Sequence, residues 1–478
     1  MRKFETQLQE IKHKVFTKVA KALFDNNIQE RIHEIPKEIS PGPKPNFRCC
    51  IYMEREILSH RIKLALGGNK SNPNVVEVIS MACDQCPIGG YEVEASCRGC
   101  LAHACFEACP KNAIIFDENK RAKIDKTKCI ECGLCAKACP YNAIYNYRRP
   151  CQRACPTKAI VMDENRAALI ESNKCIDCGA CVYKCPFGAI GEKSNFIEVI
   201  DILKKSENNT KYQTYAVIAP SIAAQYEKPI TYKHVVTGLK QLGFAQIIEA
   251  ALGADIVANL ETEELYQKKF LTSSCCPSFV KLVENNYPNL KDKISHNLSP
   301  MATVAKKIKQ SKPNAKIIFI GPCIAKKVEA KKPQVCKYVD SVLTFEEMDA
   351  MFDAKNIELA NLKETPTDDA TYFGRVFARC GGLKEAIEQS LKEKKYDDFN
   401  LKAVVCDGSE ECKKTLQNIA DGAKDFNFIE GMICKNGCVG GPCALKHKLS
   451  AKVDIDSYGK SAKIDSITEN IKKQDFKN

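Results

Sequence analysis

CIECGLCAKACPYNAI, residues 129–144, decides how this chain is read. Its cysteines fall at 129, 132, 135 and 139, in the spacing C-x-x-C-x-x-C-x-x-x-C-P. Three thiolates so spaced let the backbone wrap an iron-sulfur cubane and aim amide N–H groups at its sulfides, and the proline turns the chain so that the fourth cysteine reaches a different cluster. Structural zinc is the alternative, but zinc knots do not usually recur as crossed Cys-Pro modules.

Working outward, the Cys-Pro unit recurs as CPKNAI at 109–114, CPYNAI at 139–144, CPTKAI at 155–160 and CPFGAI at 185–190. The offsets, 139 − 109 = 30 and 185 − 155 = 30, indicate two duplicated modules in tandem. Cys97, Cys100 and Cys105 lead into Cys109, and Cys175, Cys178 and Cys181 into Cys185. These modules resemble bacterial-type two-cluster ferredoxins. The crossed pattern of that family implies one cluster on Cys97, Cys100, Cys105 and Cys139, a second on Cys129, Cys132, Cys135 and Cys109, and a third on Cys175, Cys178, Cys181 and Cys155. Only Cys151 precedes Cys155, which leaves Cys151 and Cys185 two ligands short; Cys83 and Cys86, in MACDQCP, are the remaining pair. The sixteen cysteines then form four sets of four, the expectation being four accessory [4Fe-4S] clusters.

Composition sets the surroundings. A chain of 478 residues, 44% hydrophobic, has room for two or three domains with real cores. Its 28 cysteines make either a disulfide framework or a set of metal ligands. The first residues, MRKFETQLQEIKHKVF, are charged and amphipathic, and no run approaches the ~18 apolar residues of a membrane span. A reducing cytoplasm, no membrane and metal-ligating cysteines are therefore expected. The formal charge of +13 counts every cysteine as neutral; five cubanes at roughly −2 each would offset roughly −10. No nucleic-acid motif and no G-x-G-x-x-G opening a βαβ unit is present, so residual positive charge suits a small acidic redox partner. The expected domains are a helical region over 1–80 around the Pro-rich break IPKEISPGPKPNF, an α+β ferredoxin-like region over 81–195, and an α/β domain over 196–478. Cys49 and Cys50 have no usable partner spacing, and the first region reads as structural packing on a neighbouring domain.

Beyond 200, short apolar runs (YAVIAPS, KKFLTSS, AKIIFIGPC, AVVCDG, NFIEGMIC) alternate with amphipathic helical stretches, the pattern of an α/β domain with helices flanking sheets. Cysteines fall at the ends of these runs. In LTSSCCPSFV, residues 271–280, a disulfide between adjacent Cys275 and Cys276 would be strained and close almost no loop; both sit where a strand turns into a Pro-started helix. With Cys323 in GPCIAKKVE and Cys434 and Cys438 in EGMICKNGC, thiolates on three turns suffice for one more cubane, although each taken singly reads as a buried free cysteine.

Together, TSSCCP (272–277, with one extra Ser), P-C-x-x-K-x-x-E (Pro322, Cys323, Lys326, Glu329) and E-x-x-x-C-x-x-x-C (Glu430, Cys434, Cys438) resemble the three signatures of the iron-iron hydrogenase catalytic domain, across 210–445. The resemblance implies an H-cluster. Its cubane would be held by Cys276, Cys323, Cys434 and Cys438, with Cys438 bridging to a two-iron unit carrying CO, CN and a bridging dithiolate. It also implies that Cys275 passes a proton, that Lys326 donates to a cyanide with Glu329 balancing charge, and that Met432 matches a family Met. Glu261, Glu264 and Lys268, at i, i+3 and i+7 on one helix face, match with Ser295 the family's proton relay, Lys268 standing where many relatives have Arg. A solvated face with a Glu264–Lys268 pair is the plainer reading. Gly321 replaces the signature Met before P-C, Phe279 the expected Trp, and the glycine run after Cys438 shortens to VGGPC, pointing to a less studied branch. The expected activity is reversible 2 H+ + 2 e− = H2, exchanging electrons with ferredoxin and depending on the family's maturation enzymes. A hydrogen sensor with slow turnover and a hydrogenase-like iron-sulfur assembly factor are the alternatives.

Overall fold

The computed structural model describes residues 3–86, 89–367, 369–423 and 425–473. An amphipathic helix α1 (Gln7–Phe24), capped by Thr6, and a second, α2 (Ile51–Ala65), capped by the Cys50 thiol accepting from Met53 N, form most of the first region. Eight short strands follow: β1 (Val76–Val78), β2 (Gly90–Val93), β3 (Ile114–Phe116), β4 (Ala122–Ile124), β5 (Ile144–Tyr147), β6 (Ile160–Met162), β7 (Ala168–Ile170) and β8 (Ile190–Glu192). They pair antiparallel as β2–β5, β3–β4, β6–β7 and β1–β8.

That pairing departs from a tandem arrangement. The module built on β2–β5 lies inside the one closed by β1–β8, so one module is inserted into the other. The expected boundary at residue 80 cuts the β1–β8 ladder, because β1 precedes it and pairs Val76–Val78 with Ile190–Glu192. Ladder hydrogen bonds between distant segments leave no mark in the spacing of cysteines, so spacing alone does not disclose the nesting.

The remaining chain carries two parallel sheets. One has the order β10 (Gln246–Glu249), β9 (Thr214–Ile218), β12 (Lys316–Gly321), β13 (Ser341–Thr344); the other has β11 (Leu271–Thr272), β15 (Phe428–Met432), β14 (Ala403–Asp407). Every adjacent pair within them, β9–β10, β9–β12, β12–β13, β11–β15 and β14–β15, runs parallel. Both faces of such sheets need cover, and β9, β13 and β15 are accordingly buried along their whole length. The covering helices include α3 (Ala250–Lys268), α4 (Pro277–Asn286), α5 (Phe345–Ala354), α6 (Gly382–Glu393) and α7 (Ser409–Ala420).

Helix α1 belongs to this core. Val15, Phe16, Val19 and Ala20 share one apolar cluster with Val217, Ile318 and Met348, and Phe16 meets Phe196 edge-on at 5.3 Å. Polar ties add to it: His13 Nε2 lies 2.7 Å from Asp353, and Lys12 bridges Glu192 and Glu346 at 2.6 and 2.5 Å. The first region thus packs against the larger parallel sheet as well as the strands that precede it. Among the described residues no helix is long and apolar enough to cross a membrane.

Candidate metal centre

Each Cys-Pro unit folds alike. The third residue after Cys109, Cys139, Cys155 and Cys185 takes a left-handed conformation (Asn112, Asn142, Lys158, Gly188), and the next amide donates to the cysteine sulfur: Ala113 at 3.3 Å, Ala143 at 3.4 Å, Ala159 at 3.2 Å and Ala189 at 3.3 Å. Glu131 and Asp177, also left-handed, aim their amides at Cys129 and Cys175 at 3.4 and 3.5 Å. Amides turned toward sulfur stabilise thiolates and clusters.

The structure brings the cysteines together in distinct groups. Cys109, Cys129, Cys132 and Cys135 line one small cavity, and Cys155, Cys175, Cys178 and Cys181 another. Cys105 lies within electrostatic reach of Cys139 and Cys100, and Cys97 packs in the same apolar cluster. Burial first, then neighbouring Cys185, Cys86 and Cys83, pushes the Cys151 thiol up to about 11, which gathers the irregular four at one place. Cys276, Cys323, Cys434 and Cys438 make the last group: burial and the other sulfurs raise Cys323 to about 12 and Cys438 to about 11, and hold Cys434 well above the ordinary thiol value.

These sets fit cubanes better than single ions. Tetrahedral zinc with Zn–S near 2.3 Å places sulfurs less than ~4 Å apart. Among the described residues no cysteine set brings three sulfurs within 4.8 Å of one another. Soft donors gathered in fours, at spacings wider than a single ion takes, are what an iron-sulfur group would satisfy. Spacing also orders the sets: Cys178 lies within reach of Cys276 and Cys434, and Cys181 within reach of Cys151.

Beside the Cys276 group stands a line of proton-bearing side chains. Cys276 caps α4 and Cys275 precedes it in the turn after β11. Burial, then Glu261, Cys276, Cys438 and Glu430, lifts the Cys275 thiol well above its usual value, so it rests protonated. Glu261, fully buried on α3, is pushed up to about 7 by burial, against donation from Ser274 N (3.3 Å), the Ser295 hydroxyl and the Ser274 hydroxyl at 3.2 Å. Ser295 Oγ donates to Glu264 at 3.0 Å, Lys268 Nζ is 2.6 Å from Glu264, and the exposed His296 ring is 3.1 Å from Lys268. The chain of groups therefore runs from the half-buried Cys275 thiol to solvent.

Lys326 Nζ lies 2.6 Å from Glu329 and 3.4 Å from Cys275 O; burial opposes its charge, and Glu329, Cys323 and Cys275 outweigh that and raise it. Met432 is buried at the end of β15. The aromatic at 279 packs over Gly431, where a Cβ would strike the Phe279 ring, and Phe319 fills the space beside Gly321. Sequence reading missed four members of the site. Ser274 reaches Glu261, and His296 and Asn297 reach Glu264, Asn297 Nδ2 donating to it at 2.8 Å. Glu430, read only as a motif residue, accepts from Gly381 N and Lys384 N at 2.8 Å each at the start of α6, and burial pushes it up to about 7. The extra Ser and the SHN run at 295–297 were the only available signals.

Known proteins match this chain in three stretches. Residues 212–442 match the C-terminal domain of the iron only hydrogenase large subunit, residues 122–145 the 4Fe-4S binding domain, and residues 145–196 the LdpA Fe-S cluster-binding domain. The chain thus carries a hydrogenase-type domain together with 4Fe-4S binding sequence. Among individual proteins it is similar to iron hydrogenase 1 of Clostridium pasteurianum, 29% identical over 402 residues, 72% of this chain and 69% of that one. It is also similar to the periplasmic [Fe] hydrogenase large subunit of Nitratidesulfovibrio vulgaris, 26% identical over 44% of this chain and 62% of that one. Cytosolic iron-sulfur assembly component 3 of Mus musculus is 21% identical over 52% of this chain and 66% of its own length. A solved [FeFe]-hydrogenase structure superposes with a TM-score of 0.50 at 19% identity, covering 58% of this chain and 93% of that one, which shows the shared fold.

Proposed function

We propose that this chain is an iron-iron hydrogenase that catalyses 2 H+ + 2 e− = H2 reversibly, passing electrons through four accessory [4Fe-4S] clusters to or from ferredoxin or a similar small acidic carrier in the cytoplasm. The observation that carries the reading is the place of the Cys275 thiol, between the group Cys276, Cys323, Cys434 and Cys438 and the buried acid Glu261, where burial and those neighbours oppose its ionisation. An H-cluster bound by those four cysteines would supply the low-potential metal at which protons and electrons combine. The protein's own share is proton handling. Cys275 holds a proton at the site, because desolvation, then Glu261 and the neighbouring sulfurs, opposes ionisation of its thiol. Glu261, near neutrality at about 7, can recover a proton and return one to Cys275, which suits general acid-base work at cytoplasmic pH. Ser295, Glu264 and Lys268 connect it outward, with His296 at the solvent end. Lys326, anchored by Glu329, offers a fixed cation for an anionic ligand.

Likeness to cytosolic iron-sulfur assembly proteins supports a second reading, a non-enzymatic assembly factor. A protein that moves no protons has no use for Cys275 and the acids behind it, which favours the enzyme. Infrared spectroscopy on protein produced with the hydrogenase maturation enzymes decides: carbonyl and cyanide bands with hydrogen turnover support the proposal, and their absence from fully cubane-loaded protein leaves the assembly factor. Bands without appreciable turnover point to a hydrogen sensor.

A further inference from the structure

The accessory cysteine sets differ in the charge around them. In the inserted module, burial, other cysteines and backbone amides act on Cys105, Cys109 and Cys135, and the one lysine lining the cavity of the last two is Lys111. Cys175 has Lys281 nearby, but that ammonium is 2.7 Å from Asp177. The set Cys83, Cys86, Cys151 and Cys185 has two guanidinium groups acting on it. Arg149 is 2% exposed, precedes the Pro150–Ala154 helix that carries Cys151, and acts on both Cys83 and Cys86. Arg61 acts on Cys185 and reaches from α2 to the loop after it, donating to Phe187 O at 3.2 Å and filling the space a Cβ at Gly188 would need.

The carboxylate that acts on Arg61, Glu192, makes no ion pair with it among the described residues. Glu192 is held by Lys12 at 2.6 Å and Asp84 by Arg48 at 3.0 Å, and Asp163, a carboxylate acting on Cys83, accepts from Ala167 N. Arg61 Nε is buried without an acceptor, and among the described residues no carboxylate lies within ion-pair distance of its guanidinium. A half-buried cation short of counter-charge, beside four crowded thiols, suits an anionic occupant.

Resting on the reading that these four cysteines hold a [4Fe-4S] cluster, we infer that Arg61 and Arg149 raise the reduction potential of that cluster above those of the other three accessory clusters, making it the place where a single electron waits. A four-thiolate cubane is roughly −2 when oxidised and gains one negative charge on reduction, so an adjacent cation stabilises the reduced form more. The position gives the effect a use. Cys151 of this set lies near Cys181 of the next, whose Cys178 neighbours Cys276 and Cys434. Hydrogen formation takes two electrons and a ferredoxin-type carrier brings one, so a high-potential site two steps from the catalytic cysteines stores the first until the second arrives.

The test is anaerobic redox titration, followed by electron paramagnetic resonance, of full-length protein carrying its cubanes but no two-iron unit. The Cys83→Ala, Cys86→Ala variant identifies the cluster by loss of one signal and about four irons. In the unsubstituted protein that signal should appear first as the potential is lowered. Arg61→Gln and Arg149→Gln should each make its reduction at least tenfold less favourable, about 59 mV for a one-electron couple, while Arg61→Lys stays within about threefold. If Arg61→Gln loses irons, Arg149→Gln carries the same comparison from the other side of the set. Signals unmoved in both Gln variants, with irons intact, overturn the role of the arginines and leave the cluster standing. Undiminished iron in the double Cys variant overturns the cluster assignment and this inference with it.

Discussion

Replacing Glu261 by Gln removes a proton carrier and a buried acid in one step, and the two effects have opposite signs. Lifting a carboxyl from its ordinary 4.5 to about 7 costs about 3 kcal/mol of folding free energy once it ionises, at ~1.4 kcal/mol per tenfold. The folded chain keeps this proton while the unfolded chain releases it, so stability falls as pH rises from about 4.5 to about 7 and changes no further above that. Glu261→Gln keeps an acceptor for Ser274 and loses that slope. Anaerobic melting of cluster-loaded protein should show the variant several degrees more stable than its parent at pH 8, with the gap closing near pH 5. Hydrogen turnover should fall by about 10² to 10⁴, the range of a lost general acid-base group. Full turnover by a folded, cluster-loaded variant would sink the relay, and an equal melting gap at both pH values would sink the claim that burial holds this acid near 7.

The two adjacent cysteines should separate by role: Cys276→Ala loses the catalytic-side cubane, whereas Cys275→Ala keeps the cluster spectra and loses at least about 10²-fold in turnover, both readable by paramagnetic resonance and gas evolution. Protein made without maturation enzymes should hold about 20 irons, from five cubanes; a value near 16 would remove one set. Electron exchange with an acidic carrier should slow as salt rises, because steering is screened over about 8 Å at physiological ionic strength, and salt-independent rates would exclude docking through lysines.

What can be read from sequence alone is local. Cys-Pro units announce themselves because the wrap around a cubane is made by consecutive residues, down to the left-handed turn at Asn112, Asn142, Lys158 and Gly188. The run LTSSCCPSFV is legible for the same reason, since strand, turn and Pro-started helix are contiguous. Non-local features are not. The β1–β8 ladder joins residues over a hundred positions apart and explains why Cys83 and Cys86, upstream of the inserted module, stand with Cys151 and Cys185 downstream of it. Glu430 reads as a motif letter, and only the fold brings the backbone of α6 to donate to it; Arg61 lies in a helix with no cysteine of its own.

The burial of α1 has a consequence for how the molecule is made. Phe24 ends that helix, and Asp353, which pairs with His13 on it, comes 353 − 24 = 329 residues later. At ~5–20 residues per second, the ribosome needs roughly 16 to 66 s to deliver it. Throughout that interval the apolar face of Val15, Phe16 and Val19 lacks much of its final cover. Every accessory cysteine loop is synthesised within the same interval, so iron delivery to those loops can precede closure of the helix over the junction. Nascent chains of this protein are therefore expected to occupy chaperones early and to become protease-resistant only after release.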